Sequence, residues 1–266
     1  MNPKILIVGY GVVGQLEYQI LKKLKPIVCD KKTTSYTDID GLSCQTLLPS
    51  DEKIKCEYFD LAVICVPTPT VGGKCNVDAV YEAVKECNAK VYLIKSTVAV
   101  GTCDEIAFSL NKRIVHSPEH SGATQHCNNF EYNFTVLGGN EKDCQFVQQI
   151  YQEVYDARHT FKYVNRKTSE LSKYMLNAYL ATKVSFCSEF WKVAQELDIS
   201  YEQLRECFIL DPRIEPAHTY IYDKHPYWES HCFDKDIPAI ANQFNMELLK
   251  TVNKVNKQTK KEYSEK

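Results

Sequence analysis

The stretch KILIVGYGVVG, residues 4–14, decides the fold. Its apolar run Ile5 to Val8 reads as a strand covered on both faces. Gly9, Gly11 and Gly14 follow in the order G-x-G-x-x-G, and QLEYQILKKLK (15–25) then carries apolar residues at helical spacing. A second strand, PIVCD (26–30), ends in Asp30, sixteen residues after Gly14. In such a strand–turn–helix–strand unit the first glycine permits the tight turn, the second lets backbone approach a pyrophosphate, and the third lets helix pack closely on strand. The helix start at Val12 and Val13 offers unpaired N–H groups and a positive dipole end to phosphates. Asp30 suits the ribose hydroxyls of NAD and would repel the 2′-phosphate of NADP; Lys31 and Lys32 soften that preference without reversing it.

Working outward, strands and helices keep alternating. FDLAVICV, VDAVYEAVKEC, KVYLIKST, DEIAFSL, RIVHS, NFTVLGG and EKDCQFVQQIYQEVY read in turn as strand, helix, strand, helix, strand, strand and helix. The fold class is therefore α/β, an N-terminal Rossmann-type, doubly wound parallel sheet. Ligands in such sheets sit beyond the C-terminal strand ends. That rule selects VPTPT (66–70), KST (95–97) and HSPE (116–119), and with them Thr68, Thr70, Thr97 and Glu119.

From about Arg166 the pattern becomes helical, with one long central helix in which Lys173 and Asn177, four apart, share a face. The expected organisation is a cofactor domain over 1–163, a helical domain over 164–257 and a frayed lysine-rich tail over 258–266.

The 266 residues are 44% apolar and 25% charged with net charge −2, an ordinary globular balance with no field of one sign to draw nucleic acid or an anionic membrane. Apolar runs fall far short of the ~20 residues of a membrane span, and no signal-peptide pattern opens the chain, so a soluble cytoplasmic protein is expected. Twelve cysteines are scattered without a C-x-x-C pair, so neither a metal site nor a disulfide framework is indicated. Cys29 and Cys65 lie in strand-like runs and read as buried hydrophobes. Cys232 differs: HCFDKD (231–236) sets it in a polar segment beside Lys235 and Asp236.

Taken together, GYGVVG, VPTPT, KSTVAVGT, HSPE, SKYMLNAYLATKVSFCSE, DPRI and CFDKD resemble the UDP-glucose dehydrogenase family of NAD-dependent nucleotide-sugar dehydrogenases, in that family's order and close to its spacings. The resemblance implies oxidation of a sugar C6 alcohol to a carboxylate by two hydride transfers. Cys232 would hold the intermediate as a thiohemiacetal and then a thioester. It also implies that Lys173 and Asn177 stabilise oxyanion character, that Asp236 with Thr97 and a water supplies the base, that Glu119 positions water or substrate, and that Lys235 lies near the cofactor. Family members pair through the central helix, so a homodimer is expected, with the apolar stripe over 170–193, including Phe190 and Trp191, as its seam.

Three departures accompany the resemblance. Family members continue into a second Rossmann-like domain that holds much of the nucleotide, whereas this sequence ends at Lys266; that implies a smaller substrate, a wall supplied by a partner, or weak nucleotide affinity. PYWESHC (226–232) replaces a glycine-rich loop, putting Glu229 near the expected diphosphate. Ala123 stands where the family has a second glutamate. Two other readings follow: a two-electron dehydrogenase of the 6-phosphogluconate or 3-hydroxyacid type, which needs no cysteine, and a catalytically incomplete NAD-binding relative that requires a partner.

Overall fold

The computed structural model describes residues 3–120 and 132–264, which fall into two compact units. Of the described residues, the first comprises 3–69, 76–120 and 132–173, the second 70–75 and 174–264. Ala123 lies outside the described residues.

The first unit begins with β1 (Ile5–Val8), α1 (Val12–Leu21), a 3-10 turn (Lys22–Leu24) and β2 (Ile27–Cys29). The small hairpin β3 (Ser35–Thr37) and β4 (Ser43–Gln45), α2 (Glu52–Cys56) and β5 (Tyr58–Ile64) follow. After an excursion into the second unit through β6 (Thr70–Val71) and β7 (Lys74–Cys75), the chain forms α3 (Asp78–Glu86), β8 (Asn88–Ile94), α4 (Thr102–Ser109) and β9 (Ile114–His116). It completes the unit with β10 (Phe134–Gly138), α5 (Glu141–Gln152), β11 (Thr160–Val164) and the start of α6 (Arg166–Glu196).

Seven strands form one sheet in the order β11-β10-β9-β8-β5-β1-β2, parallel throughout except for the β9–β10 pairing. Because side chains alternate along a strand, Leu6, Val8, Ala62 and Ile64 enter the core on one face while Ile5, Ile7, Leu61 and Val63 enter the core on the other. This double burial is why the strands read as unbroken apolar runs, each such side chain contributing about 1.5–3 kcal/mol. The doubly wound α/β sheet expected from the glycine motif is thus present.

The second unit holds the rest of α6, then α7 (Tyr201–Phe208), α8 (Phe233–Gln243) and α9 (Glu247–Ser264), with α8 packed on the β6–β7 hairpin. The division between the units falls within α6, at 173/174, rather than before it. Two expectations need correction. The tail is not frayed at 258, because α9 runs on to Ser264 with Thr259 buried and Lys260 and Glu262 paired to Glu229 and Lys192. Trp191 is no part of an exposed seam: it is 4% exposed and donates Nε1–H to Asp223 at 3.1 Å, a bond that turns its polar edge inward.

Candidate functional site

In the first unit the chain leaves β1 at Val8 and turns on Gly9, whose φ of +93° suits glycine and whose added Cβ would lie 2.7 Å from the Cys65 carbonyl oxygen. A Cβ at Gly14 would stand 1.9 Å from the Gly9 oxygen, so this position holds helix against strand. Gly11 is different. Nothing lies within 4 Å of its would-be Cβ, and no side chain caps α1 there. The first-turn N–H groups lack intrahelical partners, and Val12 there is 84% exposed, as an anion-binding helix start requires. Val13 packs against the core beneath the turn.

Asp30 closes the other side of this cradle. Its Oδ2 accepts from Tyr10 N at 2.7 Å and its Oδ1 from Lys32 N at 2.8 Å, which fixes the carboxylate at the end of β2. Lys31 swings outward to Glu82 at 3.0 Å. These residues fit a dinucleotide: open backbone at Gly11, free donors at α1 and a held acid beside them.

Further along the strand ends, Thr68 Oγ1 donates to the Thr97 carbonyl at 2.6 Å and Ser96 Oγ to the Val66 carbonyl at 2.7 Å, tying the two loops together. Glu119 meets Lys95 at 3.2 Å, and Lys95 meets Glu17 at 2.9 Å. The start of α6 braces this region: Glu170 accepts from Gly101 N at 2.6 Å and Cys103 N at 2.8 Å, capping α4 from outside its own helix.

In the second unit α8 carries the remaining candidates. Cys232 is its N-cap; its carbonyl accepts from Asp236 N at 2.9 Å and its side chain is exposed. Asp236, 2% exposed, takes Asn177 Nδ2–H at 2.7 Å and Lys235 Nζ at 2.5 Å. Thr70 Oγ1 donates to the Lys235 carbonyl at 2.7 Å, anchoring the β6 strand to the start of α8. Lys173 and Asn177, one turn apart on α6, are both buried. Burial pushes the Cys29 and Cys87 thiols up to about 12 and Cys144 up to about 11. The Cys232 side chain is exposed.

Residues 40–159 match the NAD binding domain of the UDP-glucose/GDP-mannose dehydrogenase family, and residues 167–258 match its central domain. The chain belongs to the UDP-glucose/GDP-mannose dehydrogenase family. Membership carries the cofactor, NAD, through the NAD binding domain. The UDP-glucose 6-dehydrogenase of Rickettsia prowazekii (strain Madrid E) is 30% identical over 219 residues, 75% of this chain and 49% of its own length. A UDP-N-acetyl-D-mannosamine dehydrogenase of Methanocaldococcus jannaschii is 26% identical over 270 residues, 95% of this chain and 61% of its own. The chain thus spans about half to three-fifths of these relatives. Among solved structures, a UDP-glucose dehydrogenase from Pyrobaculum islandicum shares the fold with a TM-score of 0.79 at 20% identity, over 96% of this chain and 68% of that one.

Within this dehydrogenase family framework, two features escaped the sequence. Glu229 faces Lys260 at 2.5 Å, so its charge is paired on α9 instead of standing alone. The buried Glu17 could have been found, since it shares the helical phase of Gly14, Tyr18 and Leu21 on the inner face of α1.

Proposed function

We propose that this chain performs NAD-dependent oxidation of the C6 primary alcohol of a nucleotide sugar, UDP-glucose or UDP-N-acetylmannosamine in type, to the carboxylate. The observation that carries this reading is the Asn177–Asp236 bond beneath the helix whose N-cap is the exposed Cys232. A thiol one helical turn from a carboxylate that is itself bonded to an amide donor suits acyl chemistry on sulfur.

In this reading Gly9, Gly11, Val12, Val13, Gly14 and Asp30 hold the dinucleotide, with Lys31, Thr68, Thr70, Thr97 and Lys235 beside it. Bound here, NAD would supply the hydride acceptor, one molecule for each of the two oxidations. Asp236, with Thr97 and a water, takes the alcohol proton. The Cys232 sulfur then forms a bond to the aldehyde carbon, and the thiohemiacetal loses its proton and a second hydride to become a thioester. Water positioned by Glu119 adds to that carbonyl, the C–S bond breaks, and the thiol and carboxylate are released. Lys173 and Asn177 stabilise the oxyanion at each tetrahedral stage. A reducing cytoplasm keeps such a thiol free.

Association through α6 belongs to the same proposal. Met175, Tyr179, Phe186, Phe190 and Val193 recur at helical spacing along α6 and are all exposed, and an apolar ridge of this kind favours a protein partner, here a second copy. A monomeric mass by sedimentation would refute the homodimer.

The functional test is NADH formation with purified protein, NAD, UDP-glucose, UDP-N-acetylmannosamine and free sugar phosphates, run beside Cys232→Ser. Two NADH per substrate in the parent, and at most one in the variant, supports the cysteine route. One NADH per substrate unaffected by Cys232→Ser overturns it in favour of a two-electron dehydrogenase.

A further inference from the structure

Three charged side chains cluster at the C-terminal end of the sheet, and the mechanism above uses only one of them. Glu17 on α1 is fully buried, Lys95 at the end of β8 is 7% exposed, and Glu119 follows β9. Lys95 Nζ lies 2.9 Å from Glu17 Oε1 and 3.2 Å from Glu119 Oε2, while Tyr151 donates its hydroxyl to Glu17 Oε2 at 2.5 Å.

Two carboxylates on one ammonium leave one net negative charge in a poorly hydrated place. Burial would pull the Lys95 ammonium down, yet Glu17 and Glu119 together hold it well above its ordinary value. Of the other groups near the cluster, Lys173 adds a buried positive charge that acts on His120, and the remaining ones are neutral. Burial pushes His116 down to about 3 and His120 down to about 4, so both are neutral near pH 7. Tyr155 is pushed up to about 12, and Tyr151 and Cys65 well above their usual values, so these are neutral as well.

A Glu17–Lys95 pair alone would already be neutral, and apolar side chains would fill the same space at least as stably. The added Glu119, whose side chain is 18% exposed, gives the pair something to act on. We propose that Glu17 and Lys95 are positioning residues: Glu17 anchors the Lys95 ammonium, and Lys95 fixes the Glu119 carboxylate, ionised and oriented, at the strand ends. This rests on the role given to Glu119 under the proposed function. Glu17 thereby competes with Glu119 for one cation, so its removal and the removal of Lys95 act on Glu119 in opposite directions.

The test uses the full chain labelled with carboxyl-13C glutamate, the Glu119 resonance being identified by its loss in Glu119→Gln. Lys95→Met raises the Glu119 titration midpoint by about one pH unit or more, and Glu17→Gln lowers it. The acidic limb of the kcat profile moves the same two ways, which loss of packing alone would not produce. Midpoints that stay put, or shift together, overturn the inference. Should the parent turn over no sugar, the NMR titration still decides this point, and that failure falls on the functional reading alone. Should Lys95→Met not fold, Glu17→Gln decides: a lowered midpoint supports the inference and an unmoved one overturns it. Lys95→Arg, which keeps the cation, is expected to retain the parental midpoint.

Discussion

Asn177 donates its side-chain amide to Asp236 at 2.7 Å, joining two buried residues 59 positions apart. Because Lys235 holds the other carboxylate oxygen, Asp236 is the shared acceptor of two donors. Asp236→Ala leaves the buried Asn177 amide unpaired and is expected to cost about 1–3 kcal/mol in urea unfolding. Asp236→Asn retains an acceptor and costs less, while turnover falls about 100-fold or more because the base is gone. Equal stability losses with unchanged turnover would contradict the assignment of Asp236 as the base.

Gly11 and Gly14 separate cofactor binding from folding. Gly14→Ala drives a methyl to 1.9 Å from the Gly9 oxygen and is expected to lower the unfolding temperature and abolish NADH binding together. Gly11→Ala meets no protein atom within 4 Å, so the fold should survive. Its methyl occupies the space a pyrophosphate needs, and NADH affinity read by fluorescence should drop roughly tenfold, about 1.4 kcal/mol. Unchanged affinity in Gly11→Ala would place the phosphates elsewhere.

Asn256 clamps the segment that leads into Cys232. Its Oδ1 accepts from Trp228 N at 2.8 Å and its Nδ2 donates to the Trp228 carbonyl at 2.9 Å, while Trp228 Nε1 donates to Ser185 at 2.9 Å. Asn256→Ala strands buried backbone groups and should cost about 1–3 kcal/mol. It should also speed alkylation of Cys232 by iodoacetamide, followed by peptide mass mapping, as the segment loosens. An unmoved unfolding midpoint would show that the clamp contributes nothing.

Acid sensitivity follows from two histidines, His116 fully buried and His120 half-buried. His116 is held at about 3 and His120 at about 4, both below the ordinary 6.5, so between those values the unfolded chain binds protons that the folded chain refuses. Stability is therefore complete above about pH 6.5 and is lost as pH falls, by about 1.4 kcal/mol per pH unit for each such proton. His116→Gln removes one of these protons, and its stability plotted against pH between about 6 and 4 should be shallower by that amount. A slope equal to the parent's would assign acid unfolding to other groups.

Much of the sheet was legible because its strands are buried on both faces and so carry long apolar runs such as Phe59–Val66. The hairpin strands SYT and SCQ, and β6 and β7, are short, half-exposed and polar, and no periodicity marks them. α8 was equally hidden: Pro238 stands inside it, a residue that reads as a helix breaker, yet α8 packs on the β6–β7 hairpin as an unbroken helix. At the candidate site, the residue types were readable and their partners were not. Lys31 looked like a modifier of cofactor choice and is paired with Glu82; Glu229 looked like a stray charge and is paired with Lys260.

By itself the sequence determined the glycine turn, the acid at the end of β2, the order of the motifs and hence the family, because backbone conformation and strand burial constrain residue type locally. Tertiary structure alone decided which polar groups meet. Glu17 with Lys95, Asn177 with Asp236 and Asn256 with Trp228 are joined across long stretches of chain. Such pairs leave no periodic trace, since hydrogen bonds and ion pairs depend on distances of about 3 Å that only the folded chain sets.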